Sequence, residues 1–449
     1  MSTPPKTFTL FRRYLDEFLG YAGVRAVKGA LLLTASGFMQ GISLLMIIPL
    51  LGLTGFVSAE PQGSSEIAGT LEGLFSSINL SYNLVTVLGL FFLILTADAL
   101  FTRYRSITMF NLQVDFINHL RNNLYRNIGN ASWKFHSRHH SAESLHLLDE
   151  AVSNIGSGTY SVLQLFVLAF QAAVYVIVSV QISLTMTVLM IVTGLVLYLS
   201  VMPINRRMFR HGEKAVTSSK KLYRNMSDYF GGLKLAKSYN RTSEHVHDFA
   251  VTAHELRNEQ MQLNRSSSSA QMWMRIFTVG LLCVFVYVAL TAAHLGGDQL
   301  ILLIVLANRL YGVLSSGQSH WQRLLEMLPN YATFTEAREK FQAHAEPRVD
   351  MNAEPLQLHQ QIRLEDVSFQ YLESTDRPAL TKISISIPAK KTTAIIGPSG
   401  AGKSTLADIL MGVLIPDSGQ IIIDGKPLTT KMLAVWRDSV AYVPQEVYL

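Results

Sequence analysis

Apolar residues fall along this chain in long, nearly uninterrupted runs, not in the short alternating stretches of a soluble sheet protein. A helix needs roughly 20 mainly apolar residues to cross the hydrocarbon core of a membrane. Six runs answer that description: residues 30–51, 84–100, two within the stretch 160–204, 276–293, and one from Leu300 that becomes mixed after Leu306. The stretch 160–204 is long enough for two spans only if it turns tightly near Gln181. The first run is too long for a secretory signal, lacks an Ala-x-Ala-like site at its end and is followed by the other runs, so it is expected to stay attached. Ahead of it, Phe8, Phe11, Tyr14, Leu15, Phe18 and Leu19 recur at helical spacing beside Arg12, Arg13, Asp16 and Glu17. That pattern fits a helix lying on the membrane surface, with a soluble amphipathic helix as the alternative.

Charge orients these spans. Cytoplasmic loops carry the excess of Lys and Arg. Residues 57–83, the turn around Gln181 and residues 291–299 contain neither, whereas 103–138 and 206–275 are strongly basic. Both ends of the membrane part are therefore expected on the cytoplasmic side. The two inner connections are long and poor in turn-formers, which predicts helices that continue out of the membrane, each residue adding about 1.5 Å of rise. Composition agrees: 49% of the 449 residues are hydrophobic and 16% charged. The net charge of +6 is spread over segments flanking apolar runs and builds no nucleic-acid module. The single cysteine, Cys283, excludes an intrachain disulfide and a cysteine-based metal site.

Beyond the sixth run the character changes. Residues 336–360 read as a charged, proline-interrupted linker, and from Ile362 the apolar positions alternate as in strands. Thr392 to Ile396 is expected as a strand leading into Gly397-Pro398-Ser399-Gly400-Ala401-Gly402-Lys403-Ser404-Thr405, a complete P-loop, with a helix over 406–413 and a strand-turn signal from Gly419 to Gly425. Glycines are needed there because backbone N–H groups must turn inward around phosphate oxygens. The helix N-terminus favours the same anion. Lys403 is expected to reach the terminal phosphates of a nucleotide and the Ser404 hydroxyl to ligate Mg2+.

The run of six spans with short outer and long inner connections, then Phe369-Gln370-Tyr371, the P-loop and Val443-Pro444-Gln445, resembles the ABC exporter family, half-transporters in which membrane and ATPase parts are fused. The resemblance covers essentially the whole chain. It implies an interfacial region over 1–28, an all-α six-helix transmembrane domain over 29–335, the linker, and the first part of an α/β P-loop nucleotide-binding domain over 361–449. It implies ATP and Mg2+ as cofactors, with Tyr371 stacking on adenine and Gln445 touching magnesium and the attacking water. Tyr371 as a packed strand residue and Gln445 as an ordinary turn residue stay open. Lys403 and Gln445 are the residues on which turnover would rest. Short coupling segments are implied near 133–140 and 223–235. His136, His139 and His140 in the first lack a companion set of Cys or carboxylates, so an interfacial loop is favoured over a metal site.

The sequence given stops after Gln445, before the family's signature loop, acidic magnesium-binding strand, catalytic glutamate and switch histidine, so this stretch alone is expected not to hydrolyse ATP efficiently. The resemblance further implies a homodimer, or a heterodimer with another half-transporter, in a bacterial inner membrane among its lipids, moving an amphipathic substrate such as a lipid or peptide, with no nucleic-acid partner. Polar residues inside spans are expensive and tend to face cavities. Asp98, Gln164, Gln171, Asn308 and Arg309 are therefore candidates for substrate contact, with helix-to-helix hydrogen bonds, or an Asp98–Arg309 ion pair, as the alternative. The competing readings are a nucleotide-binding membrane scaffold or a subunit needing a complete partner, and, more distantly, a P-loop kinase fused to an anchor.

Overall fold

A computed structural model describes residues 4–35 apart from 26, 27, 30 and 33, then 83–137, 139–182, 184–291, 297–346, 356–371 and 378–444. It divides into two compact units: Met1–Asn122 with Leu145–Thr335, and Asn123–Ser144 with Glu336–Leu449. The first expected span lies almost wholly outside the described residues.

The helices in chain order are α1 (Pro4–Ala22), α2 (Leu84–Gly129), α3 (Trp133–His136), α4 (Ser141–His146), a π-helical turn (Leu147–Ala151), α5 (Val152–Ile182), α6 (Leu184–Gly231), α7 (Leu233–Ser238), α8 (Thr242–Thr291) and α9 (Gly297–Ala343). The second unit continues with β1 (Gln361–Phe369), β2 (Leu380–Pro388), α10 (Lys403–Leu410), β3 (Ser418–Ile423), β4 (Lys426–Pro427), a 3-10 turn (Thr430–Met432) and α11 (Leu433–Asp438). Among the described residues four helical stretches are long and apolar enough to span a membrane, Leu84–Asn130, Ser141–Val180, Thr187–Gly231 and Thr242–Val288.

The long helices behave as the sequence requires. α2, α6, α8 and α9 have 46, 48, 50 and 47 residues, more than twice what a bilayer needs, so apolar span and charged extension form one continuous rod. α6 and α8 run side by side and antiparallel. His211–Glu259 (2.7 Å), Lys221–Glu255 (3.4 Å) and Asn225–Thr252 (2.8 Å) form successive polar rungs between them, and Val201, Ala270 and Met274 form a buried apolar rung. Where the extensions crowd, small residues are required: a Cβ on Gly158 of α5 would come within 2.4 Å of the Met327 side chain on α9. The π-helical turn sets His146, fully buried, edge-on to Tyr223 (5.2 Å), while Glu150 accepts a hydrogen bond from Ser219.

α1 buries one side. Tyr14 and Phe18 pack with Phe116 and Tyr331, Tyr14 donates to Thr159 (2.8 Å), and Tyr331 donates to Glu17 (2.6 Å). Burial raises the Tyr14 phenol well above its ordinary value, so it stays a neutral donor. Phe8 and Leu19 of the expected apolar face remain exposed.

In the second unit the strands form one antiparallel sheet in the order β2-β1-β3-β4. Ile362 pairs with Ile387 on one side and Ile423 on the other. Leu364, Val367, Phe369, Leu380 and Ile421 close with Leu406, Ile409 and Leu414 into its core. Asp424-Gly425, both with positive φ (47° and 82°), turns β3 into β4. The Asp424 carboxylate accepts the backbone N–H groups of His359, Gln360 and Gln361 at 2.6, 2.8 and 2.8 Å.

One expectation needs correction. Thr392 to Ile396 is irregular, not a strand: no ladder partner meets it among the described residues, and Ile396 is 92% exposed. The second short helix, α7, overlaps the far end of the expected 223–235 segment: α6 runs on through Gly231, and Gly232 separates the two helices.

Candidate functional site

The P-loop begins on the irregular segment and ends in α10. Gly400 and Gly402 both take the left-handed conformation, φ 82° and 83°. A Cβ at Gly402 would stand 2.6 Å from the backbone oxygen of Ala379. Neither the φ nor the space admits a side chain, so the loop can be drawn tight around an anion only with glycine there. Gly397, Pro398, Ser399 and Ala401 complete the arch. The Lys403 amine donates to the carbonyl oxygens of Gly397 (2.8 Å) and Pro398 (2.7 Å), folding back over the loop it must serve. Ser404 is exposed at the mouth and Thr405 buried beneath it. A tight glycine arch, an ammonium held over it by two carbonyls and an exposed hydroxyl at a helix start are what a Mg2+-nucleotide needs: N–H groups and a cation for phosphate, an oxygen for the metal.

Tyr371 lies just past β1. Its ring meets the buried Phe369 edge-on (5.0 Å, 89°) and its hydroxyl lies 3.3 Å from Thr405 Oγ1. The structure thus gathers Tyr371, Lys403, Ser404 and Thr405 at one end of α10. Val443 and Pro444 are described, whereas Gln445 lies outside the described residues.

Sequence reasoning missed the surroundings of Tyr371. The Lys134 amine on α3 donates to Asp417 Oδ1 (2.7 Å) and lies 4.8 Å from the Phe369 ring centroid. Asp417 Oδ2 accepts the N–H of Gln370 (2.7 Å). Nothing in sequence signals a pair 283 residues apart. His136 and His139 of this segment serve packing: Phe135 stacks on His344 (4.5 Å) and His139 (5.4 Å), and the His136 ring bonds the Ile128 carbonyl (2.7 Å). Burial pushes the His139 imidazole below its ordinary value, Lys340, His136 and His140 act the same way, and Glu143 opposes them. Among the described residues no group of His, Cys, Asp and Glu is placed to hold a metal ion.

The membrane candidates separate. Asp98 on α2 is within electrostatic reach of Arg105 on the same helix and of Arg309 on α9, with Tyr175 of α5 beside them. Arg105, seven residues from Asp98 and hence on one helix face, is 7% exposed and was missed. Gln164 spends its amide on the Tyr160 hydroxyl (2.9 Å), and Gln171 is half-buried one helical repeat further along. Asn308 lines a separate cavity of about 90 Å³ with Met190, Thr193, Tyr311 and Leu314.

The model of the ABC transporter transmembrane region matches residues 29–313, and a second family model, described as "ABC transporter", matches 380–449. The chain is 43% identical over 88 residues to the ATP-dependent lipid A-core flippase of Photobacterium profundum, covering 20% of this chain and 15% of that protein. It is 28% identical over 239 residues to the Beta-(1-->2)glucan export ATP-binding/permease protein NdvA of Rhizobium meliloti, covering 51% and 39%. The matches thus span well under half the length of these relatives. A bacterial Atm1-family ABC exporter solved with ATP bound has the same fold, with a TM-score of 0.68 and 19% identity over 93% of this chain and 70% of that one.

Proposed function

The chain belongs to the ABC transporter family, and from that premise we propose that it is an ATP-driven exporter half, moving an amphipathic substrate such as a lipid, peptide or other hydrophobic compound across a bacterial inner membrane by alternating access. The observation that carries this reading is the glycine arch ending in Lys403 and Ser404, borne on the same chain as helices long enough to span a membrane and continue beyond it.

In this reading adenine stacks on Tyr371, and the arch from Gly397 to Thr405 holds the phosphates. Lys403 leaves the carbonyls of Gly397 and Pro398 for the terminal phosphates, exchanging two neutral acceptors for a charged one. Ser404 and Gln445 hold Mg2+, which would screen phosphate charge and orient the terminal group. Gln445 also positions the attacking water. Nucleotide moves the cavity only to the extent that it binds one state of the transporter more tightly than the other. The substrate meets Asp98, Gln164, Gln171, Asn308 and Arg309. The working form is a dimer, with itself or with another half-transporter, with both termini cytoplasmic and the domain boundaries at 28, 335 and 360. The exposed Phe230, Leu235 and Tyr239 around α7 supply apolar surface for such a partner.

The test is ATP-dependent uptake of a fluorescent lipid analogue into inside-out vesicles carrying the natural gene product. Uptake that disappears with Lys403→Ala is expected. Equal uptake by the two proteins, or uptake unaffected by ATP, would remove the ATP-driven reading and leave that of a nucleotide-binding scaffold.

A further inference from the structure

We propose that Asp417 and Lys134 are positioning residues for the nucleotide base: together they hold the strand end that carries Tyr371, so that the seating of α3 and the binding of adenine favour each other. The inference rests on the reading of Tyr371 as the adenine platform.

β1 ends at Phe369, and beyond it Gln370 and Tyr371 have left the ladder. Asp417, just before β3, holds that end in place of ladder bonds. Its backbone N–H donates to the Ser368 oxygen (2.9 Å), and its Oδ2 accepts the Gln370 N–H (2.7 Å), so one residue brackets positions 368 to 370. Its other oxygen takes the Lys134 amine at 2.7 Å. A carboxylate has acceptor capacity for both donors at once.

Lys134 acts a second time. Its charge lies 4.8 Å from the centroid of Phe369, a fully buried ring whose neighbour is Tyr371, edge-on at 5.0 Å. The ring that Tyr371 meets edge-on and the backbone one residue before it are thus touched by Lys134 or by its partner. The lysine is in turn fixed by α3. Phe135 is held between the His344 and His139 rings and against Phe341, and Ser132 N–H donates to the His344 oxygen (2.8 Å). A shift of α3 therefore pulls on the strand end, and a base that fixes Tyr371 resists that shift. Coupling of this kind is reciprocal.

An ordinary surface ion pair would do little, since such pairs contribute almost nothing in water. What separates the two is base dependence. Inorganic tripolyphosphate occupies the phosphate arch without reaching Tyr371, whereas ATP uses both. The experiment titrates the whole chain in nanodiscs with ATP and with tripolyphosphate, each displacing a fluorescent ATP analogue. Lys134→Gln and Asp417→Asn are expected to weaken ATP about fivefold and to leave tripolyphosphate unchanged, with Lys134→Arg restoring ATP. Intact tripolyphosphate binding also reports that the variants are folded. Equal weakening of both ligands, or of neither, would overturn the proposal. Tyr371→Ala separates the two layers: a base-dependent loss there without one at Lys134 and Asp417 removes only the positioning role. No such loss at Tyr371 removes the adenine platform and the proposal with it.

Discussion

The two short helices that interrupt the long helical rods, α3 and α7, occupy similar places in the chain and have opposite surroundings. α3 has Phe135 and its lysine engaged within its own unit, by His344, Phe341, Asp417 and Phe369, while Trp133 is 46% exposed. α7 turns only Ala236 inward, and Phe230, Leu235 and Tyr239 around it are 66%, 62% and 71% exposed. Both segments carry comparable apolar side chains, so composition does not distinguish them. The difference is whether a complementary surface is present in the same unit. A helix of this length has no stability of its own. α3 takes it from the sheet and α9, while α7 is held by its N-terminal break at Gly232 and by Arg241, whose N–H returns to the Ala236 oxygen (2.8 Å).

The sharpest way to break the comparison is to delete one ring from each. Phe135→Ala is expected to cost the second unit about 2 kcal/mol, a partly buried aromatic removed from three neighbours, read as faster hydrogen exchange across β1 and β3. Leu235→Ala should change the stability of its own unit by less than about 0.5 kcal/mol. Equal effects would mean that α7 has an intrachain partner. Next in size, Leu235→Ser combined with Tyr239→Ser should lower substrate-stimulated ATP turnover of the natural gene product severalfold while nucleotide affinity holds. Unchanged turnover would argue against a partner surface there.

The smallest expected effect is on pH. His139 is held below its ordinary value of 6.5 by burial, so the unfolded chain takes up a proton more readily than the folded one. Its contribution to stability is complete above about pH 6.5 and is lost as pH falls toward the lower folded value. The melting midpoint of the second unit should therefore fall between pH 7.5 and 5.5, and His139→Phe should flatten the slope. The same slope in the variant would assign it to other groups.

What was legible in the sequence was what is local. The P-loop is contiguous, and its glycines announce their φ. The spans and their extensions follow from run length, and the break near Gln181 lies where α5 gives way to α6. What failed depends on partners far away in the chain. Thr392–Ile396 has strand composition, but a strand exists only beside another. Lys134 is one basic residue among many until Asp417 is brought to it. Arg105 shares a face with Asp98 at a spacing that could have been read, but its burial depends on how neighbouring helices close over it.

Because the account holds that nucleotide at the P-loop changes water access to the membrane cavity, the most direct measurement replaces Cys283 by Ser, places a reporter with Asn308→Cys, and follows its alkylation by a water-soluble thiol reagent. The account predicts that ATP changes the rate severalfold with Lys403 in place and leaves it unchanged with Lys403→Ala. The same rate with and without ATP in the Lys403 protein would contradict it.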